Sequence, residues 1–326
     1  MKRRAILFAS GAWLFTAPIG SLAQAPSSPR RIAVLLPGTQ SGFRSRFEAF
    51  RSELKNLGHI EGRDILIEER WAEDKTERLA SLAAELVALN PQVILTATSA
   101  GVAACKKATS TIPTVFATAG NPVEQGFVAS LRHPGGNITG IMVHLALAAK
   151  IVEVTREALP QVQRLAILVH ESDPVHKLIL ELLVPAAQRF KIEPVVVRVN
   201  RAEEIARAFD EIAEQKANAL YLPNVAFSVS HSTQLIDRSL KARLPLLSEH
   251  HGTTVAGGLL SYGTWREENY RRAAALVDKI LRGAKPAEIP VEQPERFELV
   301  VNLKTAKAIG VTISPVTMLR ATKVIE

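Results

Sequence analysis

Several groupings in this sequence carry reactive side chains, and each fails the spacing its chemistry requires. His250 and His251 are adjacent, so on a helix they point to different faces and do not chelate one metal. Ser261 lies in Gly258 to Gly263 (GLLSYG) without the glycine two positions earlier that a strained nucleophile turn needs. Gly135, Gly136 and Asn137 follow Pro134, lack a Gly-Lys-Ser/Thr ending and precede a strand pattern. They read as a turn rather than a phosphate loop. Only Gly38 and Gly42 follow the first strand pattern, too few for a dinucleotide fingerprint. Cys105 is the only cysteine, so no intramolecular disulfide forms, and its alanine-rich surroundings suit a small core residue. The expectation is no catalytic residue, no metal and no cofactor.

What remains is a set of small polar loops suited to holding a molecule without transforming it. In the first half they centre on Thr39 and Gln40, on Ser99, and on Asn121. Ser99 stands where a strand pattern turns into a helix pattern. Its hydroxyl and the first free amides there suit a carboxylate, and the same position suits an ordinary helix cap. In the second half the equivalent loops carry Glu171 and Ser172, Asn224, and Glu249. Glu171 or Glu249 is suited to receive an ammonium group. Phe116 and Tyr262 are candidates for apolar walls, although core packing suits Phe116 better.

These loops need a frame, and the hydrophobic pattern supplies one. Short β-rich runs alternate with amphipathic stretches, the mark of parallel sheets covered on both faces by helices. Strands are expected at Arg31 to Leu36, Ile65 to Glu69, Val93 to Thr98, Thr114 to Ala119 and Ile138 to Val143. Helices are expected at Phe43 to Leu57, closed by Gly58, then at Arg78 to Leu89 and Ala100 to Ala108. The pattern restarts with strands at Leu165 to Val169, Pro194 to Val199, Ala219 to Leu222 and Pro245 to Ser248. Helices near Val175 to Phe190, Ala202 to Gln215 and Ser230 to Ala242 separate them. In open sheets of this kind ligands bind beyond the carboxyl ends of the strands, which is where the loops above fall.

Composition narrows the class. The 326 residues are about twice a usual domain, 47% are hydrophobic and only 5% aromatic. The basic start Lys2, Arg3 and Arg4, the short apolar run Ala5 to Ile19 and the small residues Ser21 to Ala23 form an export signal, with residues 1–23 removed. The run is too short for a bilayer span of about 20 residues. Removing the three basic residues takes the net charge from +8 to +5, and acidic residues are interleaved with the rest. That argues against a nucleic-acid surface.

An ordered series of motifs then carries a resemblance. It runs through Leu57 to Ile65 (LGHIEGRDI), Glu69 to Glu73 (ERWAE), Gly120 to Gly126 (GNPVEQG) and Pro134 to Gly140 (PGGNITG). It continues through Ala256 to Gly263 (AGGLLSYG), Asp278 to Pro286 (DKILRGAKP) and Phe297 to Lys307 (FELVVNLKTAK). Together these closely resemble the ABC transporter substrate-binding protein family that includes tryptophan- and phenylalanine-binding members. The family commonly has aspartate where this chain has Asn121, which replaces an anionic contact by a neutral amide.

The resemblance implies a type I periplasmic-binding-protein fold: α/β, with two doubly wound parallel-sheet lobes joined by a three-crossover hinge. The lobes would be 24–143 plus 264–289, and 144–263 plus 290–326. Crossovers are placed near Val143 to Leu147, at Gly263 and Thr264, and near Pro290 to Pro294. It further implies a monomeric periplasmic receptor that closes on a small carboxylate-bearing molecule, such as an aromatic or branched amino acid, and serves a membrane ABC permease. A sensor for a membrane signalling partner and an exported α/β enzyme are the alternatives. A gene regulator's sensing domain shares the shape, but an export signal stands where its DNA-reading helices belong.

Overall fold

The computed structural model describes residues 29–143, 147–171, 173, 175–294 and 297–326. The export-signal expectation and the Ser172 expectation fall outside them, as does the middle of the first crossover.

The first half builds β1 (Arg30–Leu36), α1 (Gln40–Asn56), β2 (Ile65–Trp71), α2 (Leu79–Ala88), β3 (Val93–Thr96), α3 (Thr98–Ala108), β4 (Thr114–Ala119) and β5 (Ile138–Met142). Its five strands form a parallel sheet in the order β2-β1-β3-β4-β5. Because both faces are covered, β1 is a nearly unbroken apolar run, and Ile32 to Leu36 are fully buried. Gly58 follows α1 with φ of 93°, and its N–H donates to the Lys55 carbonyl at 3.0 Å. That is the left-handed glycine end read from the sequence.

The second half adds α4 (Leu147–Ala158), β6 (Arg164–His170), α5 (Val175–Arg189), β7 (Glu193–Val199), α6 (Ile205–Glu214), β8 (Ala219–Leu222), α7 (Ala226–Ser230) and α8 (Ser232–Lys241). It continues with β9 (Leu246–His250), α9 (His251–Val255), β10 (Leu260–Thr264), α10 (Arg266–Leu281), β11 (Glu298–Asn302), α11 (Leu303–Ile309), α12 (Pro315–Arg320) and β12 (Lys323–Ile325). The seven-stranded order is β12-β11-β10-β9-β8-β6-β7. All neighbours are parallel except β10 and β11, which run antiparallel. The architecture is therefore the expected α/β one with two parallel-dominated, helix-covered sheets.

The chain crosses between the sheets more than once. After β10 completes its place in the second sheet, α10 returns to pack on α1 and on β3, β4 and β5. Tyr270, Ala273, Ala274 and Val277 of α10 join the core of the first sheet. The chain then follows β5, with the N–H of Met142 donating to the Glu292 carbonyl at 2.9 Å and that of Glu292 to Gly140 at 2.9 Å. Only beyond this pairing does it reach β11.

The two halves also touch directly. Ala226 and Val229 of α7 pack with Phe43 and Phe47 of α1. Ser230 Oγ donates to Asp74 at 2.8 Å and accepts from the Thr39 N–H at 3.1 Å.

Candidate functional site

The carboxyl ends of β3, β4, β6, β8 and β9 converge on a cleft between the two sheets, the usual place for a ligand in folds of this kind. From the first half come Phe43 and Arg46 of α1, Thr98 and Ser99, and Thr118 to Gly120. From the second come Asp173, Val175, Ile179, Asn224, Val225 and Glu249, and the chain that returns to α10 adds Arg266. Val143 and Leu147 flank the first crossover and extend the apolar wall.

Three of the eight expected residues meet here: Ser99, Asn224 and Glu249. Four others are placed elsewhere. Thr39 caps α1, accepting from the Gly42 N–H at 3.1 Å, because that helix starts three residues earlier than its apolar pattern suggests. Its own N–H is spent on Ser230. Gln40 is exposed. Asn121 holds a turn, with Oδ1 facing the Glu124 N–H at 3.5 Å. Glu171 lies exposed on the surface beside Asn200 and Arg198. Phe116 is fully buried in the core, and Tyr262 stacks on Phe297 with ring centroids 6.2 Å apart.

Ser99 sits in the first turn of α3, where its Oγ accepts from the Gly120 N–H at 3.3 Å. The preceding Thr98 has φ of 63°. A β-branched residue in the left-handed region is strained, a condition that clusters at binding sites. Its hydroxyl faces the Gly101 N–H at 3.4 Å.

The charged centre was missed from the sequence. Arg46 is 4% and Arg266 5% exposed. Arg46 donates to Asn224 Oδ1 at 3.0 Å and lies over the Phe43 ring, 5.2 Å from its centroid. Burial lowers the pKa of Arg46, and it lowers that of Arg266 to about 10, against the opposing field of Glu249. Both remain charged at neutral pH. The only advance signal for Arg266 was its place just after the hinge expected at Gly263 and Thr264. Arg46 gave a weaker one, an arginine between the apolar positions Phe43 and Phe47.

Glu249 is held from two sides. The Tyr221 hydroxyl donates to its Oε1, and the Asn224 N–H donates to Oε2 at 3.2 Å. Burial, reinforced by the Glu249 charge, raises the Tyr221 pKa well above that of a free phenol, so the hydroxyl keeps its proton and remains a donor. Tyr221→Phe preserves the packing volume but strips a buried carboxylate of one donor. It should destabilise the protein by about 1–3 kcal/mol in chemical denaturation, and an unchanged midpoint would remove this bond from the account. On the same side of the cleft, after β6, burial raises the Asp173 pKa, opposed by the Val175 N–H.

Neither His250 nor His251 lines the cleft. His251 is fully buried in α9, with Nδ1 2.9 Å from Ser261 Oγ and Nε2 3.0 Å from the Gly263 carbonyl. Ser261 is itself fully buried and does not line the cleft. Cys105 is also fully buried, which pushes its thiol pKa up to about 12. Among the described residues no cluster of His, Cys, Asp and Glu is suited to a metal. No described helix is long and apolar enough to cross a membrane.

Comparison with known proteins gives one consistent answer. A curated tyrosine-binding protein of Clostridioides difficile is 24% identical over 262 residues, covering 80% of this chain and 75% of the relative. A Vibrio cholerae conserved domain protein superposes with a TM-score of 0.83 at 24% identity, over 90% of this chain and 99% of the other. An ABC domain from Streptococcus pneumoniae, solved with L-Trp, gives 0.81 at 22% identity, over 91% and 100%. The profile of the family described as ABC transporter substrate binding protein matches residues 31–325. The chain therefore belongs to the ABC transporter substrate-binding protein family.

Proposed function

We propose that this protein is an exported receptor of an ABC importer, which binds a small carboxylate-bearing molecule with an apolar body and delivers it to a membrane permease. The observation that carries the reading is the cleft itself. Loops from both sheets line it, buried guanidinium groups face apolar walls, and the chain crosses between the sheets beside it. Relatives named for tyrosine binding or solved with L-Trp support a ligand of this size.

In this reading residues 1–23 are a cleavable signal that leads to the periplasm, and the receptor acts as a monomer. The lobes are 24–143 plus 264–289, and 144–263 plus 290–326, hinged at their crossovers. The closed form is favoured by contacts that a ligand makes to both lobes at once. A micromolar ligand needs about 8 kcal/mol, within reach of a few buried hydrogen bonds and apolar contacts.

The test is a thermal-shift screen of residues 24–326 against amino acids, aromatic and branched acids, nucleosides and sugars. A true ligand at a hundred times its dissociation constant adds about 2.7 kcal/mol of stability. A shift confirmed by calorimetry at 1:1 stoichiometry supports a receptor. Turnover of any panel compound would replace that reading by an enzyme.

A further inference from the structure

Hydrogen-bonding capacity in the cleft is unevenly spent. Its side-chain acceptors each already carry a bond at one or both oxygens: Glu249 from Tyr221 and Asn224, Asp173 Oδ1 from the Val175 N–H at 3.1 Å, and Asn224 Oδ1 from Arg46. The donors are in surplus. Arg266 Nε and Nη1 are buried with no hydrogen-bond partner among the described residues. A guanidinium has five N–H donors and no acceptor, and leaving such groups unpaired in a dry site costs free energy. Acceptor atoms of a ligand would offset that cost.

Charge points the same way. Arg46 is close enough for its charge to act on Arg266, and Glu249 is the carboxylate acting on Arg266. Asp173 is biased by burial towards its neutral form. Glu267, which acts on Arg46, lines a neighbouring polar cavity rather than the cleft; its Oε1 accepts from Ser45 at 3.0 Å, and its Oε2 is buried without a partner among the described residues. An amino acid's ammonium group would enter beside two guanidinium groups, where like charges repel. A carboxylate meets unpaired donors of the type that Arg presents to such anions.

We propose that the cleft selects organic acids with an apolar body and no α-ammonium group, their carboxylate accepting from Arg266 beside Arg46. The proposal rests on the receptor reading above and specifies its ligand class. It departs from the amino acids named for the relatives.

The experiment is calorimetry on residues 24–326 with two matched sets. One is 3-phenylpropionate, L-phenylalanine, phenethylamine and 3-phenylpropionamide; the other is 4-methylpentanoate and L-leucine. The acid in at least one set should bind at least 10-fold more tightly than its amino acid, with amide and amine weaker still. Arg266→Met should cost the acid at least 10-fold in affinity, Arg266→Lys should recover part of it, and the ligand-free thermal midpoint of Arg266→Met should not fall. Tighter binding of the amino acids, or unchanged acid affinity in a folded Arg266→Met, overturns the proposal and leaves the receptor reading intact. Binding of another solute class while neither acid binds overturns it in the same way. Silence across these sets and the wider panel overturns both.

Discussion

Gly263→Ala is expected to destabilise the protein by about 3 kcal/mol and to abolish high-affinity binding at the cleft. Gly263 lies in β10 beside β9, and an added Cβ would stand 2.0 Å from the Glu249 carbonyl oxygen and 3.0 Å from its carbonyl carbon. Both are backbone atoms, so no rotamer change relieves the overlap, and strands must part. Overpacking of this kind costs about 1–3 kcal/mol, more where nothing can yield. The displaced residue is Glu249, which organises Tyr221 and the Asn224 turn. Gly263 also offers its carbonyl to His251, so the shift is felt on both sides of β10. Stability loss and affinity loss should appear together, measured by denaturation and calorimetry. Gly136→Ala is the matched control, because its new Cβ meets nothing within 4 Å. It should stay within about 1 kcal/mol of the parent. A Gly263→Ala protein with the parent's midpoint would show that β9 and β10 separate freely there.

The frame was legible because its signals are local. Every strand expected from β1 to β9 exists, since buried parallel strands advertise themselves as apolar runs. β10 was not anticipated as a strand: Ser261, Gly263 and Thr264 are polar or small, and their burial comes from neighbours distant in sequence. β12 is a short strand of half-exposed residues, and only its pairing with β11 defines it. The site was legible in part for the same reason. Ser99, Asn224 and Glu249 follow strands directly, so strand position predicts cleft position. Glu171 and Asn121 also follow strands, but Glu171 is drawn to the surface beside Arg198 and Asn121 into a turn. Arg46 and Arg266 sit in helices. Their direction depends on how α1 and α10 pack together, and nothing in the local sequence reports that packing.

Acid should unfold this protein from a pH where most folded proteins are comfortable. Three histidines are held neutral. Burial, with a smaller contribution from His170, pushes the His176 pKa down to about 3. Its Nε2 is positioned to accept from the His170 N–H at 3.1 Å, a role that a protonated ring does not fill. Burial and the nearby Arg46 and Arg266 put His250 well below its ordinary value. For His251 burial also dominates, opposed by the Gly263 carbonyl. A histidine whose folded pKa is depressed contributes full stability above its unfolded pKa of about 6.5 and loses it as pH falls towards the folded value. The unfolded chain binds the extra proton in that window, so stability falls by up to about 1.4 kcal/mol per pH unit for each group. His176 alone should remove about 2 kcal/mol between pH 6.5 and 4.5. Chemical denaturation across that range should therefore show a steep decline, and His176→Gln should flatten it by about one proton's worth of slope even if the variant is less stable at pH 7. A pH-independent midpoint between 6.5 and 4.5 would mean that these rings protonate in the folded protein. In that case the contacts of His176 and His251 would rearrange at mildly acidic pH.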